Sequence, residues 1–440
     1  MKANKEILRL SIPAIVSNIT VPLLGLCDTA ISGHLGSELY LAAIAVGANM
    51  LNVIFWLFGF LRMGTTGLTA TAYGRDDDDE LKRVFTRSLL LGFGIGVLLL
   101  AASVPILKFM MVVIEPEPEV EALVAEYFKI CIWEAPSLLG TMAISGWFVG
   151  MQTTFWPMVI SISVNIINIV VSCVLVFGLH MGFEGVACGT VTANWIGFAI
   201  ALFAAWRFRE GKGLWCRKSE IFHGLGRFFT VNVNLFFRSF CLIAVTLGVT
   251  AAGARLGALT LAVNAVMMQF FTFFSFFMDG FAFSAEALTG KAHGAGDLPQ
   301  TRMWVRHLLL WTLGVAALFS LCYGVGTGAV TDLLTDDATV REGVRGMWLW
   351  IMLIPIVSAW AFIYDGFYIG ITDTGKMLLA TFLASLTFFA VAFLKLGDGG
   401  LTISVGTNMH LWSAFLSYLL IRGVVLALLW PHELRKVFVK

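Results

Sequence analysis

The chain has 440 residues, of which 58% are hydrophobic and only 13% charged, with 29 Lys+Arg against 28 Asp+Glu. A soluble domain carries about 25% charged residues, so this chain has too few to cover a water-exposed surface, and a soluble multidomain enzyme is excluded. Continuously apolar runs such as 89–107 also exclude the alternating strands of an outer-membrane barrel and indicate a polytopic helical membrane protein.

The seven cysteines stand singly, with no C-x-x-C pair, so neither a disulfide framework nor a thiolate metal site is indicated. No basic stripe supports nucleic-acid binding. The N-terminal stretch MKANKEILRLSIPAIVS has a basic front end like a signal peptide. It lacks an A-x-A-like cleavage site and its apolar run continues past Thr20, so it reads as a retained first membrane helix.

About 20 apolar residues are needed to cross the hydrocarbon core. Six crossings are expected near 10–32, 40–62, 85–113, 123–150, 154–178 and 184–206. Six more follow near 228–252, 258–290, 303–331, 343–371, 376–396 and 402–429. The expected organisation is an N-lobe over 1–206, a cytoplasmic linker over 207–227 and a C-lobe over 228–440. Most Lys and Arg fall at the N-terminus, at 75–87, 207–227 and 291–306, and at the C-terminus, whereas Lys108, Arg255, Arg341, Arg345 and Lys395 fall on the opposite side. The positive-inside rule then places both termini in the cytoplasm. The linker carries Trp215 among basic residues, which suits either an interfacial helix or an ordinary polar loop. The acidic run at 76–80 reads as a solvated helix start, and Glu115, Glu117, Glu119 and Glu121 as an external acidic loop.

The halves repeat. HLG at 34–36 recurs as RLG at 255–257, Gly59 as Gly280, YGR at 73–75 as HGA at 293–295, Pro136 as Pro355, and SGWFVG at 145–150 as DGFYIG at 365–370. The offsets stay between 219 and 221 residues. Six helices per repeat gives both lobes one topology, related by an axis along the membrane normal, as transporters use.

Ionisable groups inside the bilayer cost about 2.5–3.5 kcal/mol or more each and mark functional sites by default. On helix 1, Ser11, Asn18, Pro22, Gly25, Thr29 and Ser32 form a polar, small-residue face with Asp28 at its edge, and Pro13 and Pro22 can kink the helix. Helix 5 carries the stripe Ser161, Asn165, Asn168 and Ser172, and helix 6 carries Thr190 and Asn194 one turn apart. Such stripes serve either a hydrated pocket or interhelical association. In the second half, Asp279 and Glu286 share a face with Thr272, Ser275 and Gly290, and Asp365 recurs with Ser358 and Thr372. These acids suit either a cation or substrate site or structural pairing, for instance with Arg238. Glu134 and Arg62 are weaker candidates. No H-E-x-x-H, G-x-S-x-G or Walker motif is present, so no enzyme constellation or bound-ATP energy source is indicated. An ion gradient is the expected energy source, and no cofactor is implied.

The segments SNITVPLLGLCDTAISGHLGS (17–37), FLRMGTTGLTATAYG (60–74), GLHMGFEGVACGTV (178–191), GARLGALTLAVNAV (253–266), DGFAFSAEALTGKAHGAGD (279–297) and DGFYIG (365–370) resemble the DinF branch of the multidrug and toxic compound extrusion (MATE) transporters. The resemblance covers nearly the whole chain in order. It implies an all-α membrane protein of 12 transmembrane helices in two pseudo-symmetric, V-shaped lobes. The activity it implies is export of drug-like cationic or amphipathic compounds against inward protons or sodium. It places the family's first-helix aspartate on Asp28, its hydrogen-bonding network on Asn168, Thr190 and Tyr127, and its helix-1 bend on Pro13. Glu286 and Asp365 are similar in position to acids that some relatives use for cations, which would make them a sodium site. Many relatives carry N-x-x-x-D on helix 5; here that aspartate is Ser172. The departure leaves the first lobe one carboxylate short of that two-acid pattern. The resulting expectation is a monomeric, proton-coupled or sodium-coupled exporter in the inner membrane of a prokaryote. The alternative is a lipid or lipid-precursor flippase on a related scaffold, which would need a more cationic cavity.

Overall fold

The structure, a computed structural model, describes residues 2–33, 37–222, 224–397, 400–403 and 406–438. The tripeptide at 34–36 and the side chain of Thr29 lie outside the described residues. The chain is built of helices: α1 (Lys2–Gly33), α2 (Glu38–Leu57), α3 (Phe60–Gly74), α4 (Asp78–Ala101), α5 (Ser103–Ile114), α6 (Pro118–Cys131), α7 (Ala135–Gly150), α8 (Phe155–Cys173) and α9 (Phe183–Phe208) in the first half. The second half adds α10 (Leu225–Arg255), α11 (Ala258–Gly294), α12 (Leu298–Leu334), α13 (Ala338–Gly346), α14 (Trp348–Gly370), α15 (Thr374–Phe393) and α16 (Asn408–Phe438). Among the described residues, 10 helical stretches are long and apolar enough to cross a membrane. The other two expected crossings fall on α1 and on α6–α7, which a 3-10 turn at Ile132–Glu134 divides into pieces of 14 and 16 residues.

Several boundaries differ from expectation. Helix 1 begins at Lys2 rather than near residue 10, because charged Lys5, Glu6 and Arg9 are good helix formers outside an apolar window. The third and tenth expected helices each break, at Ala102 and Met347, where the backbone leaves helical geometry. Residues at the α15–α16 connection form an antiparallel hairpin, Leu394–Gly397 with Gly400–Ile403, rather than helix ends. Between α9 and α10, the described linker residues form a 3-10 turn at Lys218–Glu220 and no interfacial helix, which is the polar-loop alternative.

Two compact units result, Ile12–Asn232 and Met1–Ser11 with Val233–Lys440. The first eleven residues thus belong with the second lobe, where the Ser11 and Ser284 hydroxyls lie 2.7 Å apart and Ser284 donates to the Ile7 carbonyl at 3.2 Å. Pro13 follows directly.

Within lipid there is little hydrophobic drive between helices, so close backbone approach supplies the packing energy. The repeated hexapeptide does this in each unit. A Cβ on Gly146 would come 2.3 Å from the Arg62 carbonyl oxygen, and one on Gly150 would come 2.4 Å from Thr69 Cβ. In the second unit, Gly366 would meet the Ala282 carbonyl oxygen at 2.7 Å and Gly370 the Thr289 hydroxyl at 2.2 Å. The helix starts repeat as well. Asp77 caps α4 by accepting from Glu80 N at 2.9 Å, as Asp297 caps α12 by accepting from Gln300 N at 2.8 Å. Aromatic packing fills the rest of the first unit, with Phe85 edge-on to Trp147 at 5.2 Å in a cluster that includes Leu89, Phe148 and Leu214.

Candidate functional site

The helix-5 and helix-6 stripes meet. The side chain of Asn168 on α8 donates to the Thr190 hydroxyl on α9 at 3.0 Å, and the Ser172 hydroxyl donates to Asn168 at 3.5 Å. Asn194 donates to the Thr190 carbonyl at 3.1 Å and to the Glu134 carboxylate at 2.6 Å. The chain Ser172–Asn168–Thr190–Asn194–Glu134 is therefore continuous. It depends on a glycine: a Cβ on Gly189 would lie 2.1 Å from the Ser172 hydroxyl, so only Gly lets α9 approach α8 there. Directly after Ser172 and Cys173, the helix widens into a π turn, Val174–Gly178, a distortion that recurs at functional sites. Asn165 reaches α1 instead, donating to the Thr20 carbonyl at 3.1 Å.

Asp28 on α1 lies within electrostatic reach of Tyr127, Cys131 and Glu134. Its Oδ1 is buried without a hydrogen-bond partner among the described residues, while its backbone carbonyl accepts from the Ser32 hydroxyl at 2.6 Å. A buried, unpartnered carboxylate oxygen is expensive in low dielectric and calls for a proton or a cation. Tyr127 is buried, with its ring held against α2 at Gly47, where a Cβ would come 2.5 Å from Cδ1. Spacing marked the α8–α9 stripe, but it did not rank Glu134 with it. Glu134 sits in the 3-10 turn, and its bond to Asn194 spans 60 residues. A lone acid beside an intramembrane Pro136 was the only sequence signal.

The second lobe differs. Asp365 on α14 is 5% exposed and its Oδ2 accepts from Arg238 on α10 and Arg422 on α16. Arg422 also lies 3.5 Å from the Tyr418 hydroxyl. Of the two roles open to this acid, the structure shows the pairing with Arg238, joined by Arg422, while Asp365 Oδ1 is buried without a hydrogen-bond partner among the described residues. Glu286 is buried on α11 and Asp279 half-buried on the same helix. Among the described residues, no group of three or more His, Cys, Asp or Glu side chains gathers as a metal site.

The family model MatE matches residues 13–174 and 235–394, one copy on each half of the repeat. The chain belongs to the MATE family. It is 34% identical to the DNA damage-inducible protein F of Escherichia coli (strain K12), over 98% of this chain and 93% of that protein. It is 25% identical to a probable multidrug resistance protein NorM of Thermotoga maritima, over 76% of this chain and 70% of that one. An outward-facing multidrug resistance MATE transporter of the MOP superfamily shares the fold at 16% identity, with a TM-score of 0.86, covering 100% of this chain and 97% of that one. The protein is thus a MATE-family, DinF-like transporter with the all-helical, twelve-crossing, two-lobe MATE fold.

Proposed function

We propose that this MATE protein is a secondary active antiporter that exports cationic or amphipathic drug-like molecules in exchange for protons, with Asp28 as the coupling group. The supporting observation is the buried Asp28 Oδ1, which has no hydrogen-bond partner among the described residues. A proton and a cationic substrate each satisfy that carboxylate, and one excludes the other. Deprotonated Asp28 holds substrate while access is cytoplasmic. After access alternates, a proton from outside takes the carboxylate, weakens the site and releases substrate. Mutual exclusion is a negative coupling free energy between proton and substrate. Asn168, Thr190, Asn194 and Ser172 offer neutral hydrogen-bonding partners to a reoriented Asp28 or to the substrate, and Tyr127 walls the same region. Pro13 supplies the flexion of α1 between the two protonation states. Sodium is the competing coupling ion, and the pairing of Asp365 with two arginines disfavours it in the second lobe.

The same reading places the protein in the inner membrane of a prokaryote as a monomer, with both termini cytoplasmic. The test is ethidium efflux from proteoliposomes under a proton gradient and, separately, a sodium gradient. Efflux driven by sodium alone would contradict proton coupling. A second reading, export of lipids or lipid precursors, draws on Arg238 and Arg422, two buried guanidiniums that a phosphate would engage in place of Asp365. Flipping of a headgroup-labelled phospholipid, absent from Arg422→Gln vesicles, would favour it over drug export.

A further inference from the structure

The two lobes repeat their glycines and helix caps, but they treat one surface groove differently. In the first lobe, the groove beside α4 is filled by the chain itself. Leu214 is buried in the cluster with Phe85 and Leu89, and Trp215 packs edge-on to Phe85 at 5.5 Å. The Cys216 N–H donates to the Thr86 hydroxyl at 3.2 Å. Basic side chains on the same helix are also satisfied. Lys82 pairs with Asp78 at 2.9 Å, and Arg87 donates to the Ile221 carbonyl at 2.8 Å and the Glu220 carbonyl at 3.0 Å.

The offset of 220 residues that relates Gly150 to Gly370 carries Lys82 to Arg302, Thr86 to Arg306, Leu89 to Leu309 and Leu214 to Leu434. Those four second-lobe residues line one open groove of about 360 Å³, walled also by Leu313 and Trp360. Apart from Leu434, the first lobe's filling is not repeated among the described residues. α16 runs on as helix past Leu434 to Phe438 rather than turning in. The acidic first turn of α4 (Asp78, Asp79, Glu80) becomes Leu298, Pro299 and Gln300 on α12. Arg302 and Arg306 are accordingly exposed, and neither forms an ion pair or hydrogen bond among the described residues.

Depth agrees with the chemistry. With a rise of about 1.5 Å per residue and a hydrocarbon core of about 30 Å, a 37-residue helix such as α12 leaves roughly 13 Å at each end in the headgroup zone. Arg302 and Arg306 fall inside that zone at the α12 N-terminus, and Leu309 and Leu313 fall just beneath it. Residues four apart project from one helix face about 5–6 Å from each other, a spacing at which two guanidiniums reach oxygens of one phosphodiester.

We propose that this second-lobe groove is a binding site for an anionic phospholipid, with its phosphate held by Arg302 and Arg306 and an acyl chain lying on Leu309, Leu313, Trp360 and Leu434. The lipid does there what residues 214–221 do in the first lobe. It supplies acceptor oxygens to the basic side chains and apolar matter to the groove.

The test uses the purified full chain in detergent, titrated with phosphatidylglycerol, phosphatidylcholine or inorganic phosphate, and read by native mass spectrometry and melting temperature. Phosphatidylglycerol is expected to bind and raise the melting temperature, whereas phosphatidylcholine and inorganic phosphate leave it unchanged. Because both arginines are exposed, Arg302→Gln with Arg306→Gln is expected to fold normally and to bind phosphatidylglycerol about thirty-fold more weakly, at roughly 1 kcal/mol per basic side chain. Arg302→Lys with Arg306→Lys retains most of the affinity. Equal phosphatidylglycerol binding by the double Gln variant, equal binding of phosphatidylcholine, or the same stabilisation by inorganic phosphate alone would each overturn the proposal.

Discussion

The two lobes share a scaffold and differ in what they do with polar groups. Gly146 and Gly150 in the first lobe, and Gly366 and Gly370 in the second, bring equivalent helices to backbone contact. At the positions between, the chemistry diverges. The first lobe links Ser172, Asn168, Thr190 and Asn194 in a neutral chain ending on Glu134, and leaves Asp28 with an unpartnered oxygen. The second lobe places Asp365, where the first has Ser145, between Arg238 and Arg422. A charge already neutralised by two fixed partners has little to gain from a proton or a cationic ligand. A charge without partners has much to gain. The proposed proton exchange rests on the first lobe, whereas the second lobe holds an Asp365–Arg238–Arg422 ion cluster.

The sharpest way to break this comparison is to remove Asp365. Asp365→Ala strands two buried guanidiniums, and a buried pair broken on one side costs about 3–5 kcal/mol. A large drop in melting temperature or loss of folded yield in detergent is expected, whereas Asp28→Asn, which removes an unpartnered charge, leaves the melting temperature within a few degrees of the parent. Next in size are the shared glycines. Gly150→Ala and Gly370→Ala each force a methyl into a contact below 3.0 Å, at a cost of about 1–3 kcal/mol, and the two should be comparable because the scaffold is common. Unequal melting shifts would show that the lobes do not pack alike. Asn168→Ala breaks the neutral chain for about 1 kcal/mol but is expected to slow efflux severely, a split between stability and transport that a merely structural stripe would not give.

The smallest expected effect concerns a carboxyl outside the spans. Asp373, between α14 and α15, is half-buried and hydrogen-bonded to Glu433, and both effects, burial foremost, hold its pKa above the ordinary 3.8. The folded protein binds that proton more tightly than the unfolded chain does, so this site's contribution to stability falls as pH rises above the ordinary aspartate value. Asp373→Asn is expected to flatten the decline of melting temperature between mildly acidic and neutral pH. An unchanged slope would mean that the pair is already ionised on both members.

The sequence was most informative where a pattern is local. Steps of 3 and 4 put Ser161, Asn165, Asn168 and Ser172 on one helix face, and the constant offset of the repeats located the close-packed glycines before any contact was visible. It was weakest where partners are distant. Nothing in the spacing says that Asp365 meets Arg238 across 127 residues and Arg422 across 57, or that Glu134 closes the chain through Asn194. Whether a membrane acid binds a cation or an arginine is decided by which helices pack together, and helical periodicity carries no information on that. The linker's composition left an interfacial helix and an ordinary polar loop both open, and distant contacts decide between them: Leu214, Trp215 and Cys216 are drawn individually onto α4 and fix an irregular path.

The central claim is that substrate and proton compete for Asp28. It is tested most directly by adding a cationic substrate to the purified transporter in weakly buffered solution near neutral pH and counting the protons released on binding. The wild-type protein should release protons in proportion to the substrate bound, and Asp28→Asn should release none while Glu134→Gln still does. Undiminished proton release from Asp28→Asn would place the coupling group elsewhere and contradict the account.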